Sequence, residues 1–230
     1  MPAIELIAGH TIQVEDGCLD LGDFWDHVAQ TLVLFVYDIL SRLDNPVMVD
    51  AGGGIGIVSL LAAVIPGMTC WTFEPNLSDE IVRNVELNGL EDRVHVYPVA
   101  LFDQPGERTM YRPVKKGRAG LATLASRPAF RQAEGFKVPV VKLDDFMAGL
   151  ERVDLIKLDV EGAELQVLRG AEQLIEMHRP AIVAEISDKR TQQFGYGSWD
   201  IVAFLHERGY SFTKVTDPDG YFWCRKEHSP

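Results

Sequence analysis

The chain has 230 residues, 47% of them hydrophobic, and no apolar run near the ~20 residues that cross a bilayer, so it is predicted to be one soluble globular domain with a single core. Thirty-four acids against 22 bases leave a formal charge of -12, a field that repels nucleic acid and anionic membrane surfaces and favours a small-molecule substrate. Cys18, Cys70 and Cys224 form no C-x-x-C pair, and the N-terminus shows no signal peptide, so a cytoplasmic location is expected.

From Asp23 to Leu43, apolar residues recur at three- and four-residue steps and predict an amphipathic helix that opens the protein. Asn45-Pro46 stops it, and Val47-Met48-Val49-Asp50 reads as a buried strand. Helix (55–64), strand (69–73), helix (78–88) and strand (94–99) then alternate, the rhythm of a parallel sheet with helices on both faces. Residues 106–142 break that rhythm and read as an inserted hairpin and loop carrying the basic stretch Lys115, Lys116 and Arg118. Strand 154–159, a helix over about 162–177, strand 181–186 and helix 199–208 follow, and strands 210–215 and 221–225 close the sheet as an antiparallel hairpin around Asp217-Pro218-Asp219-Gly220. The division expected is a helical cap over residues 1–45 and a catalytic domain over 46–230, folded as one unit.

Asp50-Ala51-Gly52-Gly53-Gly54-Ile55-Gly56 puts a glycine-rich turn at the carboxyl end of the first parallel strand, where open α/β sheets bind ligands. A dinucleotide fingerprint needs a third glycine at 57 or 59, which are Ile57 and Ser59, and no G-K-[ST] follows to make a phosphate loop. What remains is an acid, alternate glycines, and a second strand ending in Glu74. Glu74 is placed to accept ribose hydroxyls, while Asp50 and the turn amides can hold a zwitterionic amino-acid end. Ribose plus amino acid describes S-adenosylmethionine.

These residues, with Phe73-Glu74-Pro75-Asn76, Asn84-Val-Glu-Leu-Asn88, Val99-Ala100-Leu101, Leu143-Asp144-Asp145 and Lys157-Leu-Asp159-Val-Glu161-Gly162-Ala-Glu164, resemble the FkbM family of class I methyltransferases over about residues 47–215. The resemblance implies a Rossmann-like α/β fold with a seven-stranded, mostly parallel sheet, and O-methylation of small metabolites such as macrolides or saccharides. It also implies that Asp50 and Ala51 to Gly54 hold the methionine end of the cofactor, Glu74 to Asn76 the ribose side, and Ala100-Leu101 the adenine. Gly54 departs from the asparagine common at that position, which implies a different contact set there.

Side chains alternate along 154–159, so Leu155, Lys157 and Asp159 share a face. A mid-strand lysine needs a carboxylate partner, and Asp159, Glu161 and Glu185 are the candidates; it is either a structural ion pair or a tuner of a neighbouring acid. Methyl transfer requires alignment of an oxygen nucleophile and acceptance of its proton. Asp159 is the first candidate for that chemistry or for the cofactor's ammonium, with Glu161 and Glu185 next. Glu161 reads equally well as an acid favoured by a helix N-terminus. A divalent ion held by these three acids and Asp188 is conceivable, but no ligand spacing demands it, and no metal is assigned. His10 and His27 are alternative bases that read more simply as surface residues, and Trp25, Trp199 and Trp223 as core or rim. An N-methyltransferase acting on nucleic acid is disfavoured because Leu158-Asp159-Val160-Glu161 replaces the Asn/Asp-Pro-Pro-aromatic motif. A catalytically silent cofactor-binding module is the remaining alternative, and a homodimer is compatible with the sequence.

Overall fold

A computed structural model describes residues 3–7, 9–15, 27–114, 119–126, 128, 130–215 and 221–226 of the protein. Two antiparallel strands, β1 (Ala3–Ile7) and β2 (His10–Gln13), precede helix α1 (His27–Leu40). The opening element is thus a hairpin rather than the predicted helix. The periodic stretch gives its helix only to Leu40, because Ser41 to Asn45 form a turn in which Asn45 takes a left-handed φ of 46°. The N-terminal segment packs on the main core. Ile4, Leu6, Ile12, Val14, Leu32 and Leu40 share one buried cluster with Met48, Leu60 and Ile81.

β3 (Val47–Ala51) pairs in parallel with β4 (Thr69–Phe73), which pairs with β5 (Val94–Tyr97). Helix α2 (Ser78–Leu87) connects the last two. Its Asn84 and Asn88, part of the motif noted above, work as stitches. Asn88 exchanges hydrogen bonds with the backbone of Gln13 (2.9 and 2.8 Å), and Asn84 accepts from the Glu15 amide (2.7 Å) while donating to the Ile55 carbonyl (2.9 Å). The N-terminal hairpin is therefore tied to the segment that follows the glycine turn.

A short β6 (Ala100–Leu101), β7 (Gly106–Pro113) and β8 (Ala133–Val141) make a separate three-stranded sheet, which contains the predicted inserted hairpin. After a single turn, α3 (Leu143–Phe146), the chain returns to the main sheet as β9 (Leu155–Leu158). β9 lies on the other side of β3 from β4. This reversal of strand order opens a crevice at the carboxyl ends of β3 and β9, the place where such sheets accept ligands.

Two helices, α4 (Glu164–Arg169) and α5 (Glu172–His178), follow where one was predicted. At the break, Gly170 packs against the Phe102 backbone, where a Cβ would lie 2.3 Å from the carbonyl oxygen. Asp144 then accepts from the Gln173 and Leu174 amides at 3.1 and 2.9 Å, capping the new helix start. β10 (Ala181–Glu185), α6 (Asp188–Thr191), α7 (Ser198–His206), β11 (Tyr210–Lys214) and β12 (Tyr221–Lys226) complete the chain. β12 adds antiparallel to β10 and β11 to β12, giving the order β11-β12-β10-β9-β3-β4-β5 around five parallel strands.

The segment predicted as a helix over 55–64 holds only a 3-10 turn, Ser59–Ala63. Residues 55–62 are all buried, so it has no solvent face for an amphipathic helix to present. The predicted turn 217–220, Cys18, Trp25, Lys115, Lys116, Arg118 and the side chains of His27 and Trp223 lie outside the described residues. Among the described residues no helix is long and apolar enough to cross a membrane.

Gly170→Ala should cost about 1–3 kcal/mol through forced displacement of the Phe102 backbone, read as a fall of several degrees in Tm by calorimetry. An unchanged Tm would show that the Phe102 contact does not demand glycine.

Candidate active site

The strand register assembles the floor of the crevice. Asp50 on β3 faces Thr72 on β4 and Lys157 on β9 in one row across the sheet, and the two-residue period puts all three on the face covered by Ser59. Asp50 is completely buried. Its Oδ2 accepts from the Ser59 hydroxyl at 2.6 Å, and its Oδ1 takes the Lys157 ammonium at 3.0 Å as an ion pair. That ammonium donates to the Gly52 carbonyl and lies 3.9 Å from Asp159 Oδ2. The mid-strand lysine therefore pairs chiefly with Asp50, with Asp159 second. Burial pulls its proton affinity down, but Asp50 and Asp159 more than offset this, so Lys157 stays charged.

Above the lysine, Gly52 has a φ of +82°, and a Cβ there would lie 1.8 Å from the Asp159 carbonyl oxygen. Only glycine fits, on both counts. Gly54 also takes a left-handed φ, 59°. This conformation suits glycine and asparagine, so the departure at this position keeps the backbone shape and changes only the side chain. The Gly54 amide donates to Glu74 Oε2 at 3.0 Å, and Glu74 Oε1 accepts from the Asn76 and Leu77 amides at 2.8 and 3.2 Å. A carboxylate has about four acceptor sites; three amide bonds leave it able to accept one hydroxyl more. Burial, set against these amides, leaves the Glu74 pKa raised.

At the tip of β9 the chain turns through Glu161 and Gly162, both with positive φ (55° and 104°). A left-handed glutamate is strained backbone. Its conformation is held by the Thr123 hydroxyl on the Glu161 carbonyl (2.9 Å), by the Tyr196 hydroxyl on the Gly162 carbonyl, and by Glu164, whose carboxylate accepts from the Gly162 and Val160 amides at 3.0 and 3.3 Å. The turn brings oxygens of Asp159, Glu161 and Glu185 within 4.8 Å of one another. Arg190 on α6 ion-pairs with Glu161 at 2.8 Å and with Glu185. Burial and mutual repulsion push Glu161 up to about 8 and Glu185 up to about 9 against the pull of Arg190, with Glu185 sharing a hydrogen bond with Asp159. The cluster titrates as a unit. Glu164 beside it is pushed up to about 7, mainly by burial.

Comparison with known proteins decides what this crevice belongs to. Residues 50–212, from the buried Asp50 to the last strands, match the model of the methyltransferase FkbM domain. The chain belongs to that family. This methyltransferase is 32% identical to methyltransferase sdnD of Sordaria araneosa, over 77% of this chain and 78% of that one. It is 28% identical to the 31-O-demethyl-FK506 methyltransferase FkbM of Streptomyces tacrolimicus, over 76% of each. In fold it resembles the crystal structure of methyltransferase FkbM from Methylobacillus flagellatus KT, with a TM-score of 0.52 and 18% identity, covering 90% of this chain and 56% of that one.

The structure gathers most of the residues singled out in the sequence, with changes of role. Asp159, Glu161 and Glu185 converge. Gly52, Gly53 and Gly54 border the crevice with Glu74, Pro75 and Asn76, and the Asn76 side chain accepts from Arg112 of the inserted sheet at 3.3 Å. Asp50 reaches the crevice only through Lys157 and Ser59. Ala51, Ala100 and Leu101 are 0, 6 and 3% exposed and spend their side chains on the core. Glu161 is not at a helix start; Glu164 takes that place. Glu161 and Glu185 do not serve Lys157, because Arg190 engages them. Asp188 lies apart from the acids, accepting from the Ser198 amide at 2.8 Å. His10 is exposed, as expected of a surface residue, whereas Trp199, read from the sequence as core or rim, is 78% exposed. Arg190, Ser59, Thr72, Thr123 and Tyr196 carry no sequence motif, since the fold and not their local spacing brings each to its partner. The one readable hint was the need of Glu161 and Glu185 for a counter-charge.

Lys157→Met should destabilise the fold by about 3–5 kcal/mol in urea unfolding, because Asp50 is left buried and charged. Adding Asp50→Asn should recover part of that loss, whereas additive losses would contradict the pairing. Because Glu161, Glu164 and Glu185 bind protons more tightly folded than unfolded, their stabilising effect is full below about 4.5 and is lost as pH rises through about 7 to 9. Urea midpoints measured from pH 5 to 9 should fall accordingly, and Glu185→Gln should flatten the slope.

Proposed function

We propose that this methyltransferase takes its methyl group from S-adenosylmethionine and delivers it to a hydroxyl of a small metabolite. The observation that carries the reading is the crevice between β3 and β9: a glycine turn flanked by Glu74 on one side and Asp159 on the other. The donor set suits that cofactor. Glu74 keeps the capacity to accept one ribose hydroxyl, the turn excludes a Cβ at Gly52 and Gly53, and the acids of the region outnumber Lys157 and Arg190, a balance that favours a ligand carrying ammonium and sulfonium charges. Lys157 would oppose such a ligand if it were not neutralised by Asp50 beneath the turn.

When bound, the cofactor supplies an electrophilic methyl on a cationic sulfur. The chain's own contribution is to orient the acceptor oxygen in line with that methyl and to receive its proton. Asp159 stands at the switch point and is the residue proposed to face the acceptor and receive its proton, with Glu185, hydrogen-bonded to it, and Glu161 beside it. The inserted sheet supplies the outer wall, since Thr123 reaches Glu161 and Arg112 reaches Asn76. An oxygen acceptor is favoured by the relative named for a 31-O-demethyl compound, and the negative charge of the chain favours a small molecule over nucleic acid or a membrane surface. Buried free thiols at Cys70 and Cys224 suit a reducing, cytoplasmic setting.

Calorimetry with S-adenosylmethionine tests the cofactor. Glu74→Gln should weaken binding about 10- to 100-fold, the worth of a hydrogen bond to a charged group, and equal affinity in both proteins would remove Glu74 from the site. With an acceptor panel, Asp159→Asn should lower kcat more than cofactor affinity. Binding without turnover on any hydroxyl would favour a silent module, and transfer to amines an N-methyltransferase.

A further inference from the structure

Three acids whose oxygens lie within 4.8 Å of one another have the arrangement that holds a divalent cation, yet here a side chain answers them. Arg190 sends Nε to Glu161 at 2.8 Å and Nη1 to Glu185, two of the three acids, and its field reaches Asp159 as well. Its side chain is 27% exposed against 14% for each of its partners, with Nη1 itself buried, so the guanidinium is held within the cluster and not free in solvent. The backbone fixes its place: a Cβ on Gly162 would lie 2.7 Å from the Arg190 carbonyl oxygen, so the bare Gly162 lets α6 press against the Glu161 turn.

We infer that Arg190 is the resident cation of this site, a positioning residue that gathers Glu161 and Glu185, and through Glu185 orients Asp159, in the place a divalent ion would otherwise hold. A guanidinium does this better than an ion in two respects. It is planar and binds two carboxylates in fixed directions, leaving the third to face the crevice, and it does not dissociate. The groups facing it are Glu161, Glu185 and Asp159, with Glu164 acting on Glu161 and Lys157 3.9 Å from Asp159. Only the mechanistic consequence, that Asp159 is held ready for the acceptor's proton, rests on the proposed methyl transfer.

The test is therefore first one of binding, which needs no acceptor. Titration with Mn2+ at pH 8.5 should show no site in the unaltered protein and a site of roughly 10⁻⁴–10⁻³ M in Arg190→Met, while Arg190→Lys, which keeps the charge, should show none. A Mn2+ site in the unaltered protein overturns the inference, as does a folded Arg190→Met that binds no ion. If Arg190→Met does not fold, the unaltered protein still decides: its turnover should be indifferent to chelator, and loss of turnover restored by Mg2+ would overturn the proposal. Once an acceptor is in hand, Arg190→Lys should move the acidic limb of the kcat profile upward in pH, because a less rigid cation depresses the carboxyls less; a merely structural role would lower activity with the profile unmoved. Absence of methyl transfer with every acceptor, alongside the predicted Mn2+ behaviour, would count against the methyl-transfer reading and leave the role of Arg190 standing.

Discussion

Lys157 carries its charge into the middle of a fully buried strand, and the architecture around the crevice is arranged to accommodate it. A buried ammonium costs several kcal/mol unless it is paired and hydrogen-bonded. Asp50 supplies the charge from the next strand in the same register row, Gly52 the carbonyl, and Asp159 a second carboxylate. The pairing explains why the acid before the glycine turn is wholly buried, and why the turn has its shape: its carbonyl must point down to the ammonium, and its Cβ positions must be empty where Asp159 passes. Stability and site geometry thus depend on the same few atoms.

A second cation repeats the arrangement on the other side of Asp159. Arg190 gathers Glu161 and Glu185 as Lys157 gathers Asp50 and the turn, so Asp159 stands between two charge clusters built on different elements. The strained φ of Glu161 belongs here. Backbone strain of about 1–3 kcal/mol persists only where surroundings over-determine it, and Thr123, Tyr196 and Glu164 do so from the inserted sheet, the loop after α6 and the first residue of α4.

The inserted sheet and the N-terminal hairpin are the parts that frame the crevice from outside. The first reaches both ends of it, through Arg112 to Asn76 and Thr123 to Glu161. The second is tied by Asn84 and Asn88 to the segment behind the glycine turn. Both frame the crevice without taking part in the lysine pairing that fixes its floor.

Patterns with a local cause were legible from the sequence alone: five parallel strands from their apolar runs, the closing hairpin, the turn at Asp50 to Gly56, and the acids at the strand tips. Periodicity and turn chemistry act over a few residues, so a single chain displays them. The opening hairpin, the break at Gly170 and the 3-10 turn at Ser59–Ala63 were decided by packing against distant residues, which no local pattern encodes. The same holds for the site. That Lys157 would need an acid followed from the cost of burying charge, but which acid depended on the strand register, and Arg190 joined the cluster only because helix and sheet brought residues 161, 185 and 190 to one point.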